Sequence, residues 1–421
     1  MKSKVALIRC NTYERDEVKK AIAKAIDVLG GFEGIFAERE SGAGKLPELT
    51  KDSRLVLNPN LLATATPEQA CVTHFEVFRA VGELLQEAGY GNLTYGDSPG
   101  NPLVSGEKAA ETCGIKDVAK ELGIPYGNFD EGVQVAFPDG RVTKEFVLCR
   151  EIADLVSAAE NEGPAGGVIN LCKMKTHQLE RVTGAVKNTF GCVYGINKAA
   201  FHAQYATAET FAKMLGDLNR LVVPRVHIMD GVMAMEGNGP GSGDPTPMYV
   251  ILASLDPVAL DATVCHLIYL DAELVPTHKA GMEAGIGLGD DEDITVIAVD
   301  VPMIPDGTEL TLDEVAEKCG DQKFNVQRSR EYRGSINYMK PFRGILEKKP
   351  SVMKDKCIGC GVCVETCPLE PKAIRLGPDG KPVYDFRKCI KCYCCQEMCP
   401  EQAIRVKKSL LARLTDRRWR I

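Results

Sequence analysis

Apolar and polar positions along the first 340 residues alternate in blocks that predict strands and helices in turn. Short apolar runs predict strands at 5–8, 55–57, 93–95, 168–171, 226–229 and 294–299. Between them, apolar residues spaced by threes and fours predict helices. The first carries Val18, Ala21, Ile22, Ala25, Ile26 and Leu29 and stops at Gly30-Gly31. Others are expected at 68–88, with Thr66 as cap and Pro67 in the first turn, and at 106–122, 209–221 and 256–270. Strand-then-helix order predicts an α/β fold: an open, largely parallel sheet with helices on both faces. Pro138-Asp139-Gly140, flanked by 133–137 and 142–147, predicts an inserted hairpin.

The rhythm then ends. Residues 1–327 read as an α/β ligand-binding domain and 328–350 as a linker of mixed charge without periodicity. Residues 351–407 form a small cysteine-rich domain, followed by a basic amphipathic tail at 408–421. From Arg405 onward there are seven positive charges against Asp416 alone, with Leu410, Leu411, Leu414 and Trp419 interleaved. Such a tail is either a solvated helix end or a dock for an acidic surface.

Composition narrows the functional classes. The chain has 421 residues, 44% of them hydrophobic, and a net charge of −7, which argues against sequence-wide binding to nucleic acid. No apolar run approaches the roughly 18 residues of a membrane helix. Met1-Lys2-Ser3-Lys4 runs straight into a strand instead of opening a signal peptide, so a cytoplasmic location is expected.

Cysteine changes the picture most. Of 17, nine lie between Cys357 and Cys399. Disulfides are rare in a reducing compartment, so so dense a cluster points to metal. Cys357-Ile-Gly-Cys360-Gly-Val-Cys363-Val-Glu-Thr-Cys367-Pro368 is repeated as Cys389-Ile-Lys-Cys392-Tyr-Cys-Cys395-Gln-Glu-Met-Cys399-Pro400, an internal duplication. Zinc favours paired knuckles over two triple runs that each close on Cys-Pro. The module resembles bacterial two-cluster ferredoxins, a small α+β fold. That resemblance implies two [4Fe–4S] clusters, one held by Cys357, Cys360, Cys363 and Cys399, the other by Cys389, Cys392, Cys395 and Cys367. Cys394 is left without a role.

In the larger domain, polar segments follow the expected strands: Asn58-Pro59-Asn60, Gly96-Asp97-Ser98-Pro99-Gly100, Lys173–His177, and Asp230-Gly231 through Glu236 to Gly241. Ligands of open α/β sheets bind beyond the carboxyl ends of strands, so one crevice is expected to collect these segments. Ser41-Gly42-Ala43-Gly44-Lys45-Leu46 lacks the first glycine and the Ser/Thr of a phosphate-binding loop. Lys173, Lys175, Arg181, Lys187 and Lys198 place five cations within 26 residues, which suits a small anionic ligand. Of these, Lys198 is expected to be solvated, and Arg181 reads equally well as a surface or a site residue. His177 suits proton transfer near neutral pH. Cys172 and Cys192 lie close enough to positive charge to be reactive thiolates, and Cys10 lies beside a strand end.

Asn170–His177, Thr183–Gly191, Asp230–Pro240 and Ser254–Ala262 resemble the family called domain of unknown function 362, which often carries a C-terminal two-cluster ferredoxin. The spacing of His177, Lys187 and His202 also resembles nickel-pincer lactate racemases. That resemblance implies that Lys187 anchors a cofactor, His202 ligates nickel and His177 handles the proton. Here Thr183-Gly-Ala-Val precedes the lysine where that family has a double glycine, and His74 is the one candidate for its further histidine. Candidate catalytic residues are therefore His177, Lys187, Asp230 and Glu236. Candidate cofactor-binding residues are Lys175, Asn188, His202 and Asp97. The expected activity is an iron–sulfur oxidoreductase that passes single electrons to or from an anionic ligand, with a redox protein as partner and a further cofactor in the α/β domain left open. The alternatives are a non-catalytic electron carrier whose α/β domain docks a partner, and a cofactor-assisted isomerase.

Overall fold

Burial on both faces shapes the central strands. In β1 (Ser3–Arg9), Ala6 and Ile8 face one hydrophobic cluster while Val5 and Leu7 face another. In β2 (Arg54–Pro59), Leu55 and Leu57 point to the first cluster and Val56 to a third. A strand covered on both sides reads as a continuous apolar run, which is why these were legible. The computed structural model describes residues 2–41, 44–101, 103–160, 165–329 and 348–407. The remaining strands of the main sheet are β3 (Leu93–Tyr95), β4 (Gly166–His177), β5 (Arg181–Thr183), β6 (Val226–Glu236), β7 (Asp244–Ser254), β8 (Ile294–Val299) and β9 (Thr308–Leu310).

Their order is β9-β8-β1-β7-β6-β4-β2-β3, with β5 folded back on β4. The run β6-β4-β2-β3 is parallel throughout, as is β8 with β1. Strand β7, which the apolar pattern did not announce, runs antiparallel between β1 and β6 and joins the two parallel parts. Helices α1 (Arg15–Val28) and α2 (Phe75–Glu87) cover one face through Ile22 and Phe78. Helices α3 (Ala208–Val222) and α4 (Pro257–Leu267) cover the other through Leu215 and Leu260.

Several boundaries differ from the sequence expectation. The helix expected at 68–88 starts at Phe75, because His74 becomes its cap: Nδ1 accepts the Glu76 N–H at 3.2 Å. Before it, Pro67–Gln69 is one separate turn closed by a capping box with Thr66. The helix expected at 106–122 breaks at Gly114, whose φ of 85° no helix contains, into Gly106–Thr112 and Ile115–Leu122. Strands expected to end at 171 and 229 run on to His177 and Glu236, so Lys173–His177 and Asp230-Gly231 belong to strands. Lysines can sit in a covered strand because Lys173 and Lys175 each find buried partners, described below. The inserted hairpin forms from Gly132–Ala136 and Glu145–Cys149.

The cysteine-rich domain pairs Lys349–Val352 with Ile404–Lys407, and Ile374–Leu376 with Pro382–Tyr384. Each cysteine run carries one helical turn, Val362–Glu365 or Cys394–Glu397. Most of the expected linker (330–347) and the basic tail (408–421) lie outside the described residues.

Candidate functional site

A ladder of buried amides fixes one wall of a crevice. Lys175 Nζ, on β4, donates to Asn60 Oδ1 at 2.7 Å and to the Cys71 carbonyl at 2.6 Å. Asn60 Nδ2 then donates to Asn188 Oδ1 at 2.7 Å, and Asn188 Nδ2 to Asn170 Oδ1 at 2.6 Å. Asn188 and Lys187 ride on the turn Ala185–Asn188, whose first two N–H groups donate to the Asp261 carboxylate at 2.6 and 3.2 Å. Glycine is required at 184, where a β-carbon would lie 2.0 Å from Asp261 Oδ1. Burial pushes the Asp261 carboxyl up to about 7, with the two N–H groups opposing.

Asp97, Ser98, Lys198 and His202 line the same space of about 490 Å³ as Lys175, Lys187 and Asn188. Asp97 accepts from the N–H groups of Leu61 at 2.6 Å and Ser98 at 2.9 Å. Lys198 is buried here, donating to the Ser98 carbonyl with its Nζ 5.1 Å from the centre of the Phe190 ring, so the expectation that it is solvated is corrected. His202 stacks on Phe211 at 4.3 Å, and its Nδ1 has no hydrogen-bond partner among the described residues. Lys187 likewise makes no hydrogen bond or ion pair among the described residues. Burial lowers Lys175 to about 7, the range in which an amine can both give and take a proton, and lowers Lys198 as well.

The crevice is closed by the other domain. Glu397 and Met398, between the third and fourth cysteines of the second run, line it. Glu397 Oε1 lies 2.7 Å from His177 Nε2, although the ring N–H is not aimed well enough for a hydrogen bond. His177 Nδ1 accepts the N–H groups of Leu179 and Glu180 at 3.1 and 3.0 Å, which puts the neutral ring's proton on Nε2, toward Glu397. Burial, helped by the charge of Lys187, lowers His177 to about 4. Burial alone would push the Glu397 carboxyl up, but His177 and Lys187 outweigh it and hold it below the usual carboxylate range. Gln396 Nε2 donates to the Asn238 carbonyl at 3.0 Å, and Asn101 Nδ2 to the Met398 carbonyl at 3.2 Å.

Two expected members stand elsewhere. Asp230 lies on the same face of the sheet but ends in a separate buried cluster, accepting from Lys173 Nζ and Tyr13 Oη at 2.7 Å and from the His74 N–H at 3.0 Å. Lys173 also donates to Tyr13 Oη at 3.0 Å, and the Tyr13 ring stacks on His74 at 3.6 Å. Glu236 accepts the Asn325 N–H at 2.6 Å at the far end of β6 and does not line the crevice. Arg181 is engaged, donating to the carbonyls of Gln327 and Ser329. Cys172 and Cys192 are fully buried, and burial pushes both thiols well above their ordinary value, so neither is a thiolate nucleophile. Burial also pushes Cys10 up to about 12.

The cysteine runs surround two hollows. Cys357, Cys360, Cys363 and Cys399 line one of about 330 Å³. Cys367, Cys389, Cys392 and Cys395, with Cys394, line another of about 370 Å³. Each hollow draws three thiols from one run and one from the other, and four thiols about a concave site fit a [4Fe–4S] group. Asn60, Asp261, Lys198 and Glu397 are site residues that the sequence reading missed. Asn60 sat in a flagged segment, and Asp261 in a motif shared with the resembled family. Nothing in the spacing of Glu397 marks it as a crevice residue.

Residues 55–266 match a domain of unknown function (DUF362), and residues 356–403 match a 4Fe-4S dicluster domain. The thylakoid-associated protein sll1697 of Synechocystis sp. is 34% identical over 287 residues, 68% of this chain and 81% of that protein. The chain belongs to the DUF362 family. No solved structure matches this DUF362 protein. Its crevice lies within the family-matched segment apart from Glu397 and Met398, which the dicluster segment supplies. Among its described residues no helix is long and apolar enough to cross a membrane.

Proposed function

We propose that the protein exchanges single electrons between a redox partner protein and a small anionic ligand held in the crevice, with the dicluster domain between them. Cys357, Cys360, Cys363 and Cys399 would hold one cluster, and Cys389, Cys392, Cys395 and Cys367 the other. When bound, such clusters supply one-electron chemistry. One observation carries the reading: the turn that contains Cys395 also delivers Glu397 into a crevice lined by Lys175, Lys187, Lys198 and His202. Cys360 is the exposed member of the first set, so that cluster would offer the partner an approach. Lys187 and Lys198 would bind the ligand's negative charge. Lys175, near 7, would supply or accept the proton that accompanies an electron. A cytoplasmic site of action is part of the reading, supported by the number of cysteines that a reducing compartment keeps as thiols.

The test starts from anaerobically purified full chain, which is expected to hold about eight irons and eight sulfides. Small molecules released on denaturation are identified by mass spectrometry and offered to dithionite-reduced protein. Reoxidation that collapses in Lys187→Ala supports the reading. Equal rates in both proteins favour the carrier alternative. Lys187 and His202 line one crevice, and His177, which does not line it, lies behind Glu397 at 2.7 Å; this proximity also favours the isomerase alternative, and nickel in the same inventory would select it.

A further inference from the structure

Glu365 and Glu397 hold the same position in the duplicated cysteine runs, two residues after the third cysteine and two before the fourth. Glu365 is exposed, the usual state of a surface carboxylate. Glu397 is 5% exposed, and the groups that bury it include the cations of the other domain. The cysteine motif therefore does not require a buried acid at this position; the crevice accounts for it.

The fit is incomplete. Glu397 Oε1, His202 Nδ1 and Thr183 Oγ1 are all buried without a hydrogen-bond partner among the described residues. Each such unmade bond costs the desolvation of a buried polar atom, so a side chain native to the site would be expected to satisfy more of them. The hydrogen bonds of the Gln396 side chain and of the Met398 carbonyl limit how deeply Glu397 can reach.

We propose that Glu397 is a tethered stand-in for the carboxylate of the crevice's ligand. The ligand is a small carboxylic-acid anion whose carboxylate takes the place of Glu397 beside His177 and Lys187 as the glutamate side chain rotates away. This rests on the crevice being the ligand site. The exchange replaces one negative charge with another, so the balance against Lys187, Lys198 and Asp97 is kept. A neutral ligand would leave buried cations uncompensated, and a phosphate would bring extra charge into a site that holds Asp97. The bonds to the Asn238 carbonyl and from Asn101 Nδ2 can persist, because only one side chain has to move.

Calorimetric titration with acetate, run anaerobically on the full chain and on Glu397→Gln at fixed ionic strength, tests this. Acetamide and inorganic phosphate serve as comparison probes. Glutamine keeps the volume and removes the competing charge, so acetate is expected to bind at least about tenfold more tightly to the variant. Acetamide is expected to gain nothing. Iron content is measured on both proteins. If Glu397→Gln has lost iron, Glu397→Asp replaces it, with a smaller gain in the same direction because its shorter side chain withdraws from His177. Equal acetate affinity in variant and parent overturns the stand-in but leaves the crevice as a binding site. A gain for phosphate and none for acetate overturns the carboxylate class. Heat from neither anion in either protein overturns both the stand-in and the reading of the crevice.

Discussion

Two polar clusters lie on one face of the same sheet, each built around a lysine of β4, and they differ in what is left unpaired. Around Lys173, Asp230 accepts three hydrogen bonds, and Tyr13 both gives and receives. Around Lys175 the amide ladder is equally well made, but the crevice beside it leaves His202 Nδ1 and Thr183 Oγ1 without hydrogen-bond partners among the described residues, and Lys187 faces Glu397 through charge alone. Polarity, burial and positive charge are common to both. Incomplete satisfaction separates a binding crevice from a structural network, because native interiors rarely leave such groups unmade without a use for them. Four residues separate Asp230 from His177 in strand register, and that distance assigns it to the structural side.

Substitutions on the two sides should therefore fail in different ways. The largest effect is expected from Asp230→Ala, which strands Lys173 buried and uncompensated. Loss of about 3–5 kcal/mol of stability in urea denaturation would place Asp230 in the structural network. A fully stable variant with damaged anion binding would return it to the crevice and break the comparison. Lys187→Ala should do the reverse. It should weaken acetate binding by about 1.5–3 kcal/mol while costing less stability than Asp230→Ala, since Lys187 makes no hydrogen bond among the described residues and faces Glu397 through charge alone. Lys198→Ala should lower both quantities by less than the larger of those two effects, because this lysine lines the crevice and is tied to the Ser98 carbonyl.

The remaining expectation concerns pH dependence, and it is one of direction. Burial lowers His74, His177 and His202 to about 4 and His227 to about 3, against about 6.5 in an unfolded chain. The unfolded chain takes up these protons first, so the stability from neutral histidines is present above pH ~6.5 and lost as pH falls through ~4. Asp261 opposes this. Its raised value means that its contribution is present below ~3.9 and lost as pH rises through ~7. With four histidines against Asp261, the urea midpoint should fall as pH drops from 6.5 to 4. A midpoint that rises over that interval would show that the histidines are not held neutral.

How much was legible follows from the same physics. Strands covered on both faces announce themselves, and 5–8, 55–57 and 294–299 appeared where expected. The cysteine spacing gave the dicluster domain outright, since ligand geometry constrains sequence separation. By sequence Lys173–His177 reads as a segment beyond the strand because lysine in a strand interior is unusual, and Asp230, Asn60 and the Cys71 carbonyl make it tolerable. Those partners lie 57 to 115 residues away, beyond any local pattern. Lys198 was assigned to solvent for the same reason: its partner, the Ser98 carbonyl, is 100 residues distant. Glu397 was invisible because its identical twin Glu365 is exposed, so only docking of the two domains distinguishes them.

The central claim is that the crevice and the dicluster domain act together. Electron paramagnetic resonance of the dithionite-reduced full chain, recorded with and without acetate, tests it most directly. The account predicts a cluster signal that changes with acetate in the unaltered protein and does not change in Lys187→Ala. A spectrum of two reduced clusters that is identical with and without acetate, in protein shown by calorimetry to bind it, would contradict the account.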